Sequence, residues 1–228
     1  GGGGIETQYV VTSIDGNDES RASAAVKLTN NLYTTGNRNV LSWDKVAGAK
    51  RYKVYKKSGG LFGYIGQTED TSLTDDNIAP DLASTPPVYD KLFAQADDYP
   101  AAVSYFQQRR VFAGTVSKPL HVWMSKSGTE SNMSYSIPSR ADDRILFRIA
   151  AREAGMVSHI VPLSKLVLLS GGAEWNVNTL NSDALTPDSV SVSPQSYVGA
   201  SQVQPVIVNN ALVYAAARGG HVRELAYN

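Results

Sequence analysis

The chain has 228 residues, with 21 Lys and Arg against 21 Asp and Glu and no cysteine, so its formal net charge is zero. A neutral chain is not held on nucleic acid mainly by neutralising phosphates, and a cysteine-free one has no disulfide framework, thiolate zinc site or Cys nucleophile. Hydrophobic residues make up 42%, enough for a core, yet no apolar run reaches the roughly 18–20 residues of a membrane span; Lys165 interrupts the best candidate, Ile160 to Leu169.

The run Gly1-Gly2-Gly3-Gly4 lacks the basic and apolar regions of a signal peptide and reads as a linker. Tyr9 to Ile14 is β-branched and aromatic, stops at Asp15-Gly16-Asn17-Asp18 and resumes over Ala24 to Thr29. Two such runs around an Asp-Gly signal predict a β-hairpin. Asn39 to Trp43 is a further short strand. Arg51 to Lys56 alternates, setting Tyr52 and Val54 on one face and Lys53 and Tyr55 on the other. Leu61 to Gly66 and Thr71 to Asp75 complete the first half.

Ala79 to Pro87 is rich in residues that resist regular structure, and Pro86 and Pro87 cannot donate to a sheet. A domain boundary is expected there: one domain over 5–85, a linker over 86–99 and a second domain over 100–228. The predicted strands of the second domain are Ser104–Ala113, His121–Ser125, Arg144–Ala150, Ser158–Pro162, Lys165–Ser170, Ala173–Asn178, Ser189–Ser193, Gln204–Asn209, Ala211–Ala216 and His221–Tyr227. Val103, Phe106 and Arg110 also fit helical spacing, but the run ends at a turn, Ala113-Gly114, as a strand would. The expected class is all-β.

A weak internal repeat is present. Val161 to Val177 and Val206 to Leu225 each read strand, short turn, strand, Gly-Gly, strand, with Leu166 and Leu212 lying 46 residues apart. Periods of this size suit β-propeller blades, and a plain antiparallel meander fits them equally.

The residues offer little chemistry. His121, His159 and His221 lack the spacing of a helical metal pair, and no G-x-S-x-G elbow or phosphate loop occurs. Asp75-Asp76, Asp97-Asp98 and Asp142-Asp143 are adjacent pairs, which on a strand point to opposite faces and make poor acid–base dyads. They read as solvated turn residues. Arg109-Arg110, with Arg140, Arg144, Arg148 and Arg152, forms the densest basic region and reads as a solvated face or subunit contact. Trp43, Trp123 and Trp175 lie in predicted strands and read as core. No catalytic, cofactor-binding or metal-ligating residue is assigned, and no cofactor is expected.

Two resemblances sharpen this reading. Tyr9 to Ser20 resembles the F strand and F–G turn of a fibronectin type III domain, Val40 to Trp43 its B strand, and Val46 to Tyr55 its following turn and C strand. F and G thus precede A, B, C, C′ and E. Either the hairpin belongs to a preceding module or it closes onto the later strands as a permuted sandwich; a count of about seven strands favours the second.

Tyr99 to Thr115, Val122 to Gly128, Gly172 to Trp175, Asp183 to Pro187 and Val222 to Leu225, in this order, are similar to the tail nozzle, or tail tubular, proteins of short-tailed bacteriophages. That resemblance implies a non-enzymatic structural virion protein, part of a β-propeller carrying an inserted fibronectin-like domain. It implies a hexameric ring at the tail that continues the DNA ejection channel. It also implies contacts with adaptor and tail fibre proteins, passing contact with DNA, and residence in the host cytoplasm during assembly. The second half has strands for two to three blades, where a closed propeller needs about four to eight. It is therefore expected to be a piece of a longer chain or to be completed by other chains. A competing expectation is a glycan-binding or adhesive module, for which Tyr55, Phe62 and Tyr64 are the candidate aromatics. A propeller glycosidase would need converging carboxylates, and the repeat that marks sialidase-like propellers is missing.

Overall fold

A computed structural model describes residues 3–152 and 155–226 of the chain. Among them every regular element is a β-strand apart from a single 3-10 turn at Ala96–Asp98, and every strand pair is antiparallel. The class is all-β. The chain divides into two compact units, one holding residues up to Tyr89 together with Ser134–Arg140, the other Asp90–Met133 and the described residues from Ala141 onward. The segment read as a linker, 86–99, is thus divided between the units after Tyr89.

In the first unit, β1 (Ile5–Asp15) turns into β2 (Asp18–Glu19), and β3 (Val26–Asn30) pairs with the first half of β1. The returning arm is therefore interrupted after Glu19, where one continuous strand was expected from Ala24. Then come β4 (Asn39–Ser42), β5 (Arg51–Ser58), β6 (Leu61–Thr68) and β7 (Ser72–Asp75). One sheet runs β2-β1-β5-β6 with β3 on the free half of β1, and β4 pairs with β7 in a second. The N-terminal hairpin therefore closes onto β5, with Val11 opposite Val54. Tyr9, Val54 and Ile65 of the larger sheet pack with Leu41 of the smaller one, and Leu73 adds to that core. The alternation read from Arg51 to Lys56 places Tyr52 and Val54 toward this core. Tyr55, on the opposite face, is only 1% exposed, so the larger sheet is buried on both sides. Trp43 lies just past the end of β4 and is only half-buried, its ring 5.5 Å from that of Tyr52.

The second unit is a series of meanders. The first sheet comprises β8 (Ala102–Phe106), β9 (Arg109–Ala113), β10 (His121–Met124) and β11 (Ile145–Arg148). The second comprises β12 (Val157–Pro162), β13 (Leu166–Ser170), β14 (Glu174–Thr179) and β15 (Val190–Ser196). The third comprises β16 (Val206–Val208), β17 (Ala211–Ala215) and β18 (Val222–Ala226). In each sheet, neighbours in sequence are neighbours in space.

The sheets pack face on face. Val111, Val122, Met124 and Ile145 of the first meet Ile160, Leu166, Leu168 and Trp175 of the second. Val161, Val167 and Leu169, on the other face of the second, meet Leu212 and Tyr214 of the third. Successive side chains on a strand point to opposite faces, so β13 sends Leu166 and Leu168 one way and Val167 and Leu169 the other, all four with no exposed surface. An unbroken apolar run is what a strand covered on both sides requires.

One predicted strand is corrected. Ser104–Ala113 is not continuous but a hairpin, β8 and β9, turning at Gln107 and Gln108 with φ of 47° and 60°. Two positive φ values mark a type I′ turn, usually built from Asn or Gly. Asn209 and Asn210, at 49° and 62°, make the same turn between β16 and β17. The glutamine version is held by tertiary contacts: Leu185 N–H donates to Gln107 Oε1 at 2.7 Å, and Gly128 N–H to the Gln108 carbonyl at 2.9 Å.

Gly114, between β9 and β10, has φ +65°, and a Cβ there would lie 2.1 Å from the Val157 carbonyl oxygen. The first and second sheets approach closely at that point. Gly114→Ala is expected to cost this unit about 2–4 kcal/mol, from left-handed strain and forced separation. An unchanged denaturation midpoint by circular dichroism would refute this.

Candidate functional site

The charged and polar residues singled out in the sequence are largely consumed by the fold. Asp75 is not a solvated turn residue; it is fully buried, while its neighbour Asp76 is exposed. Its Oδ2 accepts from Tyr9 Oη at 2.6 Å and lies 2.8 Å from Lys56 Nζ. Its Oδ1 accepts the backbone N–H groups of Asn77 and Ile78 at 3.0 and 2.7 Å. Asn39 Nδ2 donates to Tyr9 Oη at 2.8 Å, linking β4 to β1 and β7. Burial, and then the bond to the Asp75 carboxylate, push the Tyr9 phenol well above its ordinary range, so it remains a donor.

On the other face of the same sheet, Glu19 accepts from Thr12 Oγ1 at 2.7 Å, from Tyr55 Oη, and from Lys53 Nζ at 3.2 Å. Tyr89 Oη donates to the Glu19 carbonyl and ties the end of the unit's first segment to the sheet. Tyr55, a candidate glycan platform from sequence, is therefore inside the protein. Tyr64 and Phe62 are half-buried; Tyr64 is bridged through its backbone to Asp81, and Phe62 lies 5.8 Å below the Lys57 ammonium.

In the second unit, Arg109 is 2% exposed, which corrects its reading as part of a solvated face. Its guanidinium donates to the carbonyls of Ser125, Asp143 and Ala141 at 2.9, 2.6 and 2.8 Å and reaches that of Leu185 at 3.5 Å. Burial lowers its pKa, against the nearby carboxylates of Asp142 and Asp143. A lysine has one ammonium where the guanidinium is a planar fork. Arg109→Lys is expected to cost about 2–4 kcal/mol by leaving buried carbonyls unpaired; a variant as stable as the parent would contradict that role. Arg110 instead pairs with Glu130 at 3.0 Å, and Arg144 pairs with Asp90.

Glu174, with no exposed surface, accepts from Tyr214 Oη at 2.9 Å and from Ser196 Oγ, joining the second and third sheets. Burial, and then the Glu174 carboxylate, raise the Tyr214 phenol to about 12, so this link persists at neutral pH. His159 is also structural, its Nε2 lying 2.9 Å from the Ser201 carbonyl. His121 stacks on Trp123 at 5.8 Å, and burial lowers its pKa, helped by Lys118 and Arg148. Among the described residues no three His, Asp or Glu side chains converge as a metal site, and no helix is long and apolar enough to cross a membrane.

What remains uncommitted is apolar sheet surface. On the third sheet, Val206 pairs with Val213, Val208 with Ala211 and Val222 with Ala215, so these residues share the face that points away from Leu212 and Tyr214. Val206, Val208 and Val222 are 54%, 51% and 72% exposed. Glu224, paired with Val213, also belongs to this face. On the first sheet, Val103, Phe112, Trp123 and Leu146 form one cross-strand row on the face away from the core. Phe93 covers Trp123 at 5.2 Å, while Val103 and Leu146 remain exposed, beside Tyr105. The sequence reading identified these strands but did not distinguish their outward faces. The signal lay in Val206-Ile207-Val208, where a one-sided strand would alternate with polar residues.

No protein-family model matches the chain, and no curated protein matches it significantly.

Proposed function

We propose that this chain is a structural subunit of a bacteriophage tail, part of a ring-forming tube or nozzle that continues the channel through which DNA leaves the particle. The observation carrying this reading is the stack of antiparallel sheets with exposed apolar side chains on both outermost faces, Val103 and Leu146 beside the Phe93-covered Trp123 on one and Val206, Val208 and Val222 on the other. Sheets apolar on both faces belong inside a larger assembly, and repeated four-stranded meanders stacked in series are the components of a propeller. The segments similar to tail nozzle proteins support the same reading, with the first unit as an inserted fibronectin type III-like domain.

In this role the chain has no catalytic duty. Its polar groups rigidify: Asp75, Glu19 and Glu174 each gather donors from separate strands, and Arg109 gathers loop carbonyls onto β9, each in a buried cluster of its own. A zero net charge suits a conduit that DNA slides past without being retained. The partners are further copies of the chain in a closed ring, a hexamer by resemblance, with adaptor and tail fibre proteins as neighbours. Its location is the virion tail, and the host cytoplasm during assembly.

Negative-stain microscopy of the purified protein, alone and mixed with tail intermediates, tests this. Rings with a central hole, or incorporation into tails, are expected. A chain that stays monomeric at high concentration and joins no tail intermediate overturns the proposal.

A further inference from the structure

We infer that the outward face of the third sheet is the docking surface for the outward face of the first sheet of a second copy, joined head to tail. The inference rests on the ring-forming reading above and names the surfaces that such an assembly would use.

The chain itself displays the packing required. The second sheet covers both faces, taking the first sheet on one side and the third on the other. One further contact of the same kind, between the third sheet of one copy and the first sheet of the next, extends the series without a new type of packing.

The two faces differ in a complementary way. That of the third sheet is low and flat, built from Val206, Val208, Ala211, Val213, Ala215 and Val222. That of the first sheet is bulky, with Val103, Tyr105 and Leu146 exposed around Phe93, which itself packs on Phe112 and Trp123. Large side chains against small ones interdigitate better than like against like. Charge points the same way. The third sheet's face carries one acidic residue, Glu224, while the first sheet's carries Arg110 and Arg148. Arg110 already has Glu130 as a partner; Arg148 lies exposed at the edge strand, opposite His121. Pairing two third-sheet faces would set Glu224 near its own copy, and pairing two first-sheet faces would set arginine against arginine. Either arrangement desolvates like charges. A head-to-tail contact sets the acid against the base, and such a heterologous contact generates a ring when its rotation closes.

Three substitutions on the full chain test the contact. Val222→Asp places a second carboxylate beside Glu224 at a position exposed in the monomer, so circular dichroism is expected to stay that of the parent. Self-association, measured by sedimentation, is expected to weaken at least about tenfold, because a hydrated carboxylate replaces a valine in the apolar contact and must be desolvated there. Because the chain has no cysteine, Val222→Cys and Leu146→Cys proteins can be mixed and joined with a short bis-maleimide. Cross-linked pairs are expected from the mixture and not from either protein alone. Rings that persist unchanged in Val222→Asp overturn this contact while leaving the ring proposal standing. Val222→Cys protein that cross-links to itself as readily as to Leu146→Cys replaces head-to-tail with two-fold packing and also overturns it. A parent chain that forms no ring and joins no tail removes the proposed function itself, and this contact with it.

Discussion

Asp75→Ala is expected to lower the stability of the first unit by about 3–5 kcal/mol, the cost of leaving a buried charge without its partner. Asp75 has no exposed surface, and both its oxygens are fully engaged by Tyr9, Lys56 and the N–H groups of Asn77 and Ile78. Truncation leaves the Lys56 ammonium, itself 9% exposed, with the Ile78 carbonyl at 3.1 Å as its remaining partner. It also removes the acceptor for Tyr9. The change has a signature in pH. Burial alone would raise the Asp75 carboxyl, but the bonds from Lys56, Tyr9 and Ile78 outweigh it and hold the group below its ordinary 3.8. The unfolded chain therefore takes up this proton at higher pH than the folded one. The stabilisation is fully present above the unfolded value and is lost as pH falls through the folded one. The stability difference between the parent and Asp75→Asn should be constant from about pH 5 to 7 and narrow below about pH 4. Hydrogen exchange of β1 and β7 amides separates this unit from the rest of the chain. A difference independent of pH down to the acid transition would mean that the carboxylate is not the stabilising species.

Leu168→Ala and Leu169→Ala are each expected to cost about 3–5 kcal/mol in the second unit, near the upper range for buried leucine truncations. On a strand covered on one side only, two adjacent residues cannot both be costly, because one of them faces water. Here both are completely buried, Leu168 against the first sheet and Leu169 against the third. The two cavities open on opposite sides of β13, so their consequences should separate. Leu169→Ala is expected to raise exchange rates in β16–β18 more than in β8–β11, and Leu168→Ala the reverse. If either substitution proves near-neutral, the three-sheet stack is wrong at that interface.

Much of this organisation was readable locally. Asn209-Asn210 announces its turn because asparagine tolerates the left-handed region. Gln107-Gln108 makes the same turn but has no such preference, and the apolar pattern runs through it, so Ser104–Ala113 reads as one strand. Its turn depends on Leu185 and Gly128, residues distant in sequence. Asp75 and Arg109 read as solvated for a similar reason. A charged residue beside a turn looks solvated unless its partners are known, and Tyr9 and Lys56, or the carbonyls of Ala141 and Asp143, are assembled only by folding.

The division between local and tertiary information is clearest in β13. Alternation, β-branching and turn residues are properties of neighbours along the chain, and they determined that the protein is all-β, where most strands lie, and that Val161–Val177 and Val206–Leu225 repeat one pattern. Which strand face meets which sheet depends on pairs far apart in sequence, and a run such as Leu166 to Leu169 reads the same whichever side is covered. Only the tertiary structure placed the first sheet on one side of that run and the third on the other, buried the charges of Asp75 and Arg109, and left the valines of the third sheet facing outward.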